Sequence, residues 1–436
     1  MSPLKLKLHW QILIALGLAI LVGLAVGREA GLFGVTFYAI FDFVGKLFLN
    51  ALKMLIVPLI LSSIIVGVSG LGSGNLGRLG GKTIGYYAMT SLFAILVGLI
   101  LVNLIQPGVV DGDPKEVFGF SADVQSLEAK IGDKDGGDVV EVFLRMIPTN
   151  VVAAAAAGQM LGLIFFGLLY GFFITRLPEN LAKTQSSFFE GVFEIMMRIT
   201  DLIMRFAPIG VFALVAKTVA STGLDAFVPL ALFFLTVVLA LGTHFLVVLP
   251  LLLYFIGGVS PIRHYSAMGS ALLTAFSTAS SSATLPVTME CVEKNAGVSN
   301  RVTSFVLPLG ATVNMDGSAL YECVAAMFIA QAYGLDLTFG TQFLVVSLAL
   351  LTSIGVAGIP AASLVAIAII LGAVGLPLEG IGLILAVDRI LDMMRTTVNV
   401  FSDSCGAVII ARSEGETNVL QPPPELSGSA PGLSRT

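Results

Sequence analysis

The chain has 436 residues, of which 56% are hydrophobic and only 12% charged, and its mean hydropathy is +0.96. A water-facing globule needs about 25% charged residues to cover its surface, so this composition excludes one and calls for lipid around most of the molecule. The net charge of −5 comes without a dense basic patch, which speaks against nucleic acid as a partner, and three histidines without metal-ligand spacing speak against a zinc or haem centre.

Lys5, Lys7 and His9 precede an apolar span of about 20 residues. That is too long for a signal-peptide core and lacks an Ala-x-Ala cleavage site, so it is expected to be a first transmembrane helix with its N-terminus in the cytoplasm. Long apolar segments follow at 35–70, 80–107, 150–176, 188–220 and 226–257. Each is long enough to cross ~30 Å of hydrocarbon. With the N-terminus inside, Arg78, Lys82, Arg176, Lys183, Arg263 and His264 all fall on the cytoplasmic side. The segment 108–141 then falls outside; its nine acids against three lysines make it a solvated external loop. No Asn-x-Ser/Thr sequon occurs, and Cys291, Cys323 and Cys405 lie in apolar surroundings as small buried hydrophobes. The tail over 417–436 is rich in Pro, Ser and Gly and is expected to be disordered.

The second half reads differently. Residues 266–296 are interrupted by TAFSTASSSATLP, and 342–376 by SIGVAGIPAAS. Each is expected to be two half-helices joined at a tip of small residues, re-entering the membrane from one side; such backbone is tolerated at membrane depth only beside protein or a water-filled cavity. Each is followed by a long helix with polar residues in its middle: Asn314, Asp316 and Ser318 in one, Asp388, Asp392, Arg395, Asn399 and Asp403 in the other. Two interrupted segments in corresponding places are the sequence mark of a repeat-built transporter site.

The last polar helix carries the chemistry. Its five polar residues are spaced 4, 3, 4 and 4 apart, and at about 100° per residue they share a stripe roughly 80° wide. A charge at the centre of a membrane helix costs on the order of 2.5–3.5 kcal/mol, so three carboxylates and an arginine there need partners. Asp392 and Arg395 can neutralise one another; Asp388, Asp403 and Asp316 are then left over and call for bound cations. Arginine offers a planar fork for a carboxylate, and Asp392 an acceptor for an ammonium. Half-helix N-termini near Ser280, Ser281 and Ser282 offer free N–H groups to anions. Hard cations take oxygen ligands, available from Asp316, Asp403, Asn314 and from backbone around Gly310–Met315 and Ser353–Val356.

The runs SSSATLPVTM, LPLGATVNMDGSALYE, SIGVAGIP and VDRILDMMRTTVNVFSDSCGA resemble the excitatory amino acid transporter family, the glutamate/aspartate transporters, and weaker similarity extends over 8–412. The resemblance implies an all-helical membrane protein of eight transmembrane helices and two re-entrant hairpins, built as inverted repeats and assembled as a homotrimer. It implies a static scaffold (1–79 and 108–225) and a transport domain (80–107 and 226–416) that moves as an elevator. It implies that Asp392 holds the substrate ammonium and Arg395 its side-chain carboxylate. Thr396, Asn399 and the Ser280–Ser282 run would meet its backbone groups, and Ser318, where threonine is usual, would sit at the side-chain carboxylate. The second hairpin, around Ile359, would be the extracellular gate. One sodium would sit among Gly310, Asn314, Asn399 and Asp403. A second would sit among Thr312, Met315, Ser353, Ile354 and Val356, and a third among Tyr87, Thr90, Ser91, Asn314 and Asp316. The implied activity is sodium-coupled uptake of acidic amino acids with no cofactor, in the plasma membrane, the inner membrane of a bacterium. The alternative is a proton-coupled symporter of acidic amino acids or dicarboxylates.

The sequence departs from the family where it usually carries a second arginine, at positions held here by Ala279 and Met393, and Ser363 stands where glycine is common. Arg389, three residues before Asp392, either balances Asp392 from the same helix or faces a polar cavity or the interface. Two other classes fit the sequence less well. A serine hydrolase would pair a serine of 280–282 with His244, but no Gly-x-Ser-x-Gly elbow is present. A passive channel would show repeated polar rings, whereas here the polar groups converge on one site.

Overall fold

The computed structural model describes residues 8–69, 78–110, 117–118, 144, 147–157, 160–223, 227–355 and 362–420. Nearly all of them are helical. The strand pairing among them is one antiparallel two-residue ribbon, β1 (Gly31–Leu32) with β2 (Val35–Thr36), which joins α1 (Leu8–Val26) to α2 (Phe37–Ser69). The external loop and the terminal tail expected from the sequence lie mostly outside the described residues.

The apolar segments become helices, three of them divided. The third is α3 (Arg78–Ile105), and 150–176 becomes α4 (Val151–Ala156) and α5 (Met160–Ile174). Asn150 starts α4 by accepting from the N–H groups of Val152 and Ala153 at 2.9 and 3.0 Å. The stretch 188–220, expected as one span, is divided between α6 (Glu179–Arg205) and α7 (Ala207–Thr222). Pro208 explains the break, since it lacks an N–H and is tolerated only in the first turn of a helix. In the stretch 226–257, α8 (Phe227–Thr243) passes through a wide turn at His244–Val248 into α9 (Leu249–Phe255). There the Leu249 N–H bonds five residues back, to the His244 carbonyl. Pro250 has no N–H to continue that ladder, and the orphaned Phe245 carbonyl accepts instead from the Tyr265 hydroxyl. The helical stretches Arg78–Ile105 and Val228–Phe255 are each long and apolar enough to cross a membrane.

Residues 261–295 form a helical hairpin, as the serine-rich interruption predicts. α10 (Pro261–Thr278) and α11 (Ser281–Glu290) pack side by side and meet at Ala279–Ser280. Ala279 turns the chain with φ of 50°, a left-handed conformation rare outside glycine. Ser280 is extended and caps α11 by accepting from the Ala283 N–H at 3.2 Å. The second interrupted segment gives α14 (Phe339–Gly355) and α15 (Ala362–Val374), also packed together; their joining residues, with Val356 and Ile359, lie outside the described residues. Between the two pairs, α12 (Asn300–Val313) and α13 (Asp316–Ala332) are parts of one interrupted helix. The break is at Asn314 (φ −110°, ψ 89°) and Met315 (φ −114°, ψ 55°). The chain's longest polar-striped helix, α16 (Ile381–Ser413), follows.

Two sets of contacts organise these helices. α1 packs on α7, and α2 on α5, α6 and α7; α3 packs on α13, and α16 on α8, α10, α12 and α13. A second, smaller apolar core surrounds the far half of α16, with Tyr86, Met268, Val306 and Phe401 in it. At that end Glu414 draws Arg78 (3.2 Å), Lys82 (2.5 Å) and Arg301 (3.9 Å) together. The Lys82 ammonium bonded to it holds the Glu414 carboxyl below the ordinary carboxylate range.

Candidate binding site

The polar stripe of α16 splits into two linked clusters. The upper one is a set of four charges. Arg395 is 1% exposed. Its Nη1 donates to Asp388 Oδ1 at 3.1 Å and its Nη2 to Asp392 Oδ1 at 2.9 Å. The guanidinium carbon lies 3.9 Å from the centre of the Tyr321 ring, so aromatic stacking and two carboxylates together hold one buried cation. The other Asp392 oxygen, Oδ2, accepts from Arg389 Nη1 at 3.3 Å. Arg389 thus points to Asp392. The mutual pairing of Asp392 with Arg395 is also present, and it takes in Asp388, so none of these charges is left over.

One turn on, Thr396 donates back to the Asp392 carbonyl at 2.9 Å. Asn399 reaches across to α13, accepting from the Gly317 N–H at 2.7 Å and donating to Ser318 Oγ at 3.3 Å and Met315 Sδ at 3.1 Å. Of the serine run, Ser281 is buried and Ser282 exposed, and α11 packs against α16.

The lower cluster is a buried nest of oxygens at the break between α12 and α13. Asp316, Asn314 and Thr90 are wholly buried, and Asp403 is 3% exposed. Ser91 donates to Asp316 Oδ1 at 2.7 Å and Ser402 to Asp316 Oδ2 at 2.6 Å. Asn314 Nδ2 donates to Asp403 Oδ1 at 2.9 Å and to Ser402 Oγ at 3.1 Å, and its Oδ1 lies 3.4 Å from Thr90 Oγ1. Tyr87 donates to the Val306 carbonyl at 2.7 Å. Gly310 is where a side chain cannot fit, since a Cβ would run into Asp403 and sit 2.6 Å from the Tyr87 hydroxyl. Two carboxylates, an amide and several hydroxyls make a hard-cation donor set.

Residues expected from the sequence therefore gather in two of three sets. Tyr87, Thr90, Ser91, Asn314 and Asp316 come together, as do Gly310, Asn314 and Asp403, whereas Asn399, expected with the latter three, is bonded to Gly317, Ser318 and Met315. The Thr312–Ser353 set is less assembled. Thr312 and Ser353 turn their hydroxyls to their own helices, at Leu309 (2.9 Å) and Leu350 (2.7 Å), and of the rest Met315 is bonded to Asn399 while Ile354 lies in the last turn of α14. Several residues were not foreseen. His244 Nε2 lies 3.1 Å from Asp316 Oδ2 with both side chains at zero exposure; it is engaged there and not with a serine of 280–282. Ser402 bridges Asp316 and Asn314, and Glu322 accepts from Thr352 at 2.8 Å in a buried site. A signal existed for two of these: Ser402 falls three residues after Asn399 on the stripe, and Asn314, Ser318 and Glu322 repeat every fourth position.

Residues 8–413 match the sodium:dicarboxylate symporter family. The chain belongs to that family. Its symporter relatives include the proton/sodium-glutamate symport protein of Geobacillus stearothermophilus, 38% identical over 95% of this chain and 96% of the relative. The proton/glutamate-aspartate symporter of Escherichia coli is 38% identical over 95% and 94%, and excitatory amino acid transporter 3 of Mus musculus is 38% identical over 93% and 86%. This symporter is thus a membrane protein of the glutamate/aspartate transporter type, and the match runs from α1 to the end of α16, taking in every element that builds the two clusters.

Proposed function

We propose that this symporter couples sodium entry to the uptake of acidic amino acids, L-aspartate or L-glutamate. The observation that carries the reading is the pairing of a buried Arg395 with Asp392 on the same helix as a buried oxygen nest, with Asn399 between the two and bonded to the N–H of Gly317, next to Asp316. A zwitterion with a second carboxylate meets complementary groups there: its ammonium at Asp392, its side-chain carboxylate at Arg395 and Ser318, its α-carboxylate at Asn399, Thr396 and the Ser280–Ser282 turn. Sodium ions occupy the nest around Asp316 and Asp403, with a further one near Thr312 and Ser353.

Charge explains the coupling. Arg389 and Arg395 cancel Asp388 and Asp392, so the upper cluster is neutral and an anionic amino acid adds a net negative charge to a low-dielectric site. Cations bound a turn away offset that charge. They also order the Asn314–Met315 break and with it Asn399 and Ser318, so each ligand raises the other's affinity.

The carrier is a homotrimer in the plasma membrane. The packing of α1, α2, α5, α6 and α7 on one another supplies its scaffold, and α3 with α8–α16 its moving part, with both helical hairpins re-entrant. Protons are the second reading: the buried carboxyl of Glu322, bonded to Thr352, is a carboxyl positioned to carry one. In proteoliposomes, an inward sodium gradient is expected to drive uptake of labelled aspartate and glutamate, with cooperative dependence on sodium. Equal uptake from sodium-free choline buffer under a pH gradient would replace sodium by protons.

A further inference from the structure

The two arginines of the upper cluster are held very differently. Arg395 is clamped by Asp388, Asp392 and the Tyr321 ring. Arg389 has a single ion pair, to Asp392 Oδ2 at 3.3 Å, long for a charge-assisted bond, and its side chain is 20% exposed. Asp392 has only two oxygens. Each can accept more than one bond, but Oδ1 faces the inaccessible Arg395, so the open approach for a ligand cation is at Oδ2, where the part-exposed Arg389 sits.

We infer that Arg389 is a resident stand-in for the substrate's ammonium: it neutralises Asp392 while the site is empty, and the amino group binds by displacing it. This rests on the reading that Asp392 receives the ammonium. Arg389 is then a specificity-determining residue. A ligand with an ammonium exchanges one cation for another at Asp392 and gains little. A ligand of the same shape without one leaves Arg389 in place and loses little. Without Arg389, the first gains an unoccupied acceptor and the second meets an uncompensated carboxylate.

The test compares L-aspartate with succinate, its four-carbon counterpart lacking the amino group, as inhibitors of labelled aspartate uptake in proteoliposomes at saturating sodium. In Arg389→Leu the affinity ratio of aspartate to succinate should rise about tenfold or more over wild type, the scale of one charged hydrogen bond. Arg389→Lys should stay near the wild-type ratio. A merely structural Arg389 shifts both ligands by the same factor, and an unchanged or lowered ratio in Arg389→Leu overturns the proposal. Should the leucine variant fail to insert, Arg389→Gln carries the same comparison. Asp392→Asn separates the two levels: if it lowers aspartate relative to succinate while Arg389→Leu changes nothing, only the stand-in role fails. If Asp392→Asn leaves the ratio untouched, the ammonium assignment itself fails.

Discussion

Arg395 is the residue on which most depends. It is nearly inaccessible, and removing it strands Asp388 as a buried carboxylate and leaves Asp392 with Arg389 alone. Truncating one side of a buried, hydrogen-bonded charge pair costs about 2–5 kcal/mol, or about 30- to 5,000-fold in affinity. Arg395→Cys is therefore expected to lose acidic amino acids by that factor while admitting small neutral ones such as serine, measured by competition against labelled substrate; unchanged aspartate affinity would remove Arg395 from the carboxylate site. The residues of this stripe could be read in the sequence because a charge in an apolar helix has no other explanation. His244 and Ser402 could not be assigned, because their importance lies in reaching Asp316, 72 and 86 positions away in the chain. Distances of that kind depend on how α8, α13 and α16 pack, and periodicity along one helix does not contain them.

At the scale of elements, the site exists because α13 and α16 approach closely. Gly317 sits at the contact: a Cβ there would lie 2.6 Å from the Arg395 carbonyl oxygen and 3.0 Å from its Cα. These are backbone atoms of a long helix and cannot turn aside as a side chain does. Gly317→Ala is expected to push the helices apart and to destabilise the fold by about 1–3 kcal/mol, as overpacking does, with loss of both substrate and sodium affinity because Asn399 bonds the Gly317 N–H. Gly372, in α15, has open space around it, and Gly372→Ala should be neutral or stabilise by about 0.5–1 kcal/mol through lower backbone entropy. Equal thermal midpoints for the two variants would remove the close approach as the cause. The interrupted segments were legible as hairpins because small-residue runs break the apolar pattern. The division of 188–220 at Phe206 was not, since apolar positions continue across it and only Pro208 marks the boundary.

For the whole molecule, the arrangement of charge predicts the orientation. Arg78, Lys82 and Arg301 converge on Glu414, while Arg263 donates to the Leu420 carbonyl and Arg412 to that of Gly257, so one end of the molecule carries a cationic belt around the end of α16. Cationic ends stay in the cytoplasm. Glu29 lies in the exposed link between α1 and α2, and Lys183 is exposed near the start of α6. In the proposed arrangement the chain crosses between them as α2, as α3, and as α4 with α5, an odd number of passes, so the two positions are expected on opposite sides. The three native cysteines are buried and give little background. In right-side-out vesicles a membrane-impermeant maleimide should label Glu29→Cys fully and Lys183→Cys only after permeabilisation. The reverse pattern would invert the orientation, and labelling of both from outside would mean that one of the three passes does not cross.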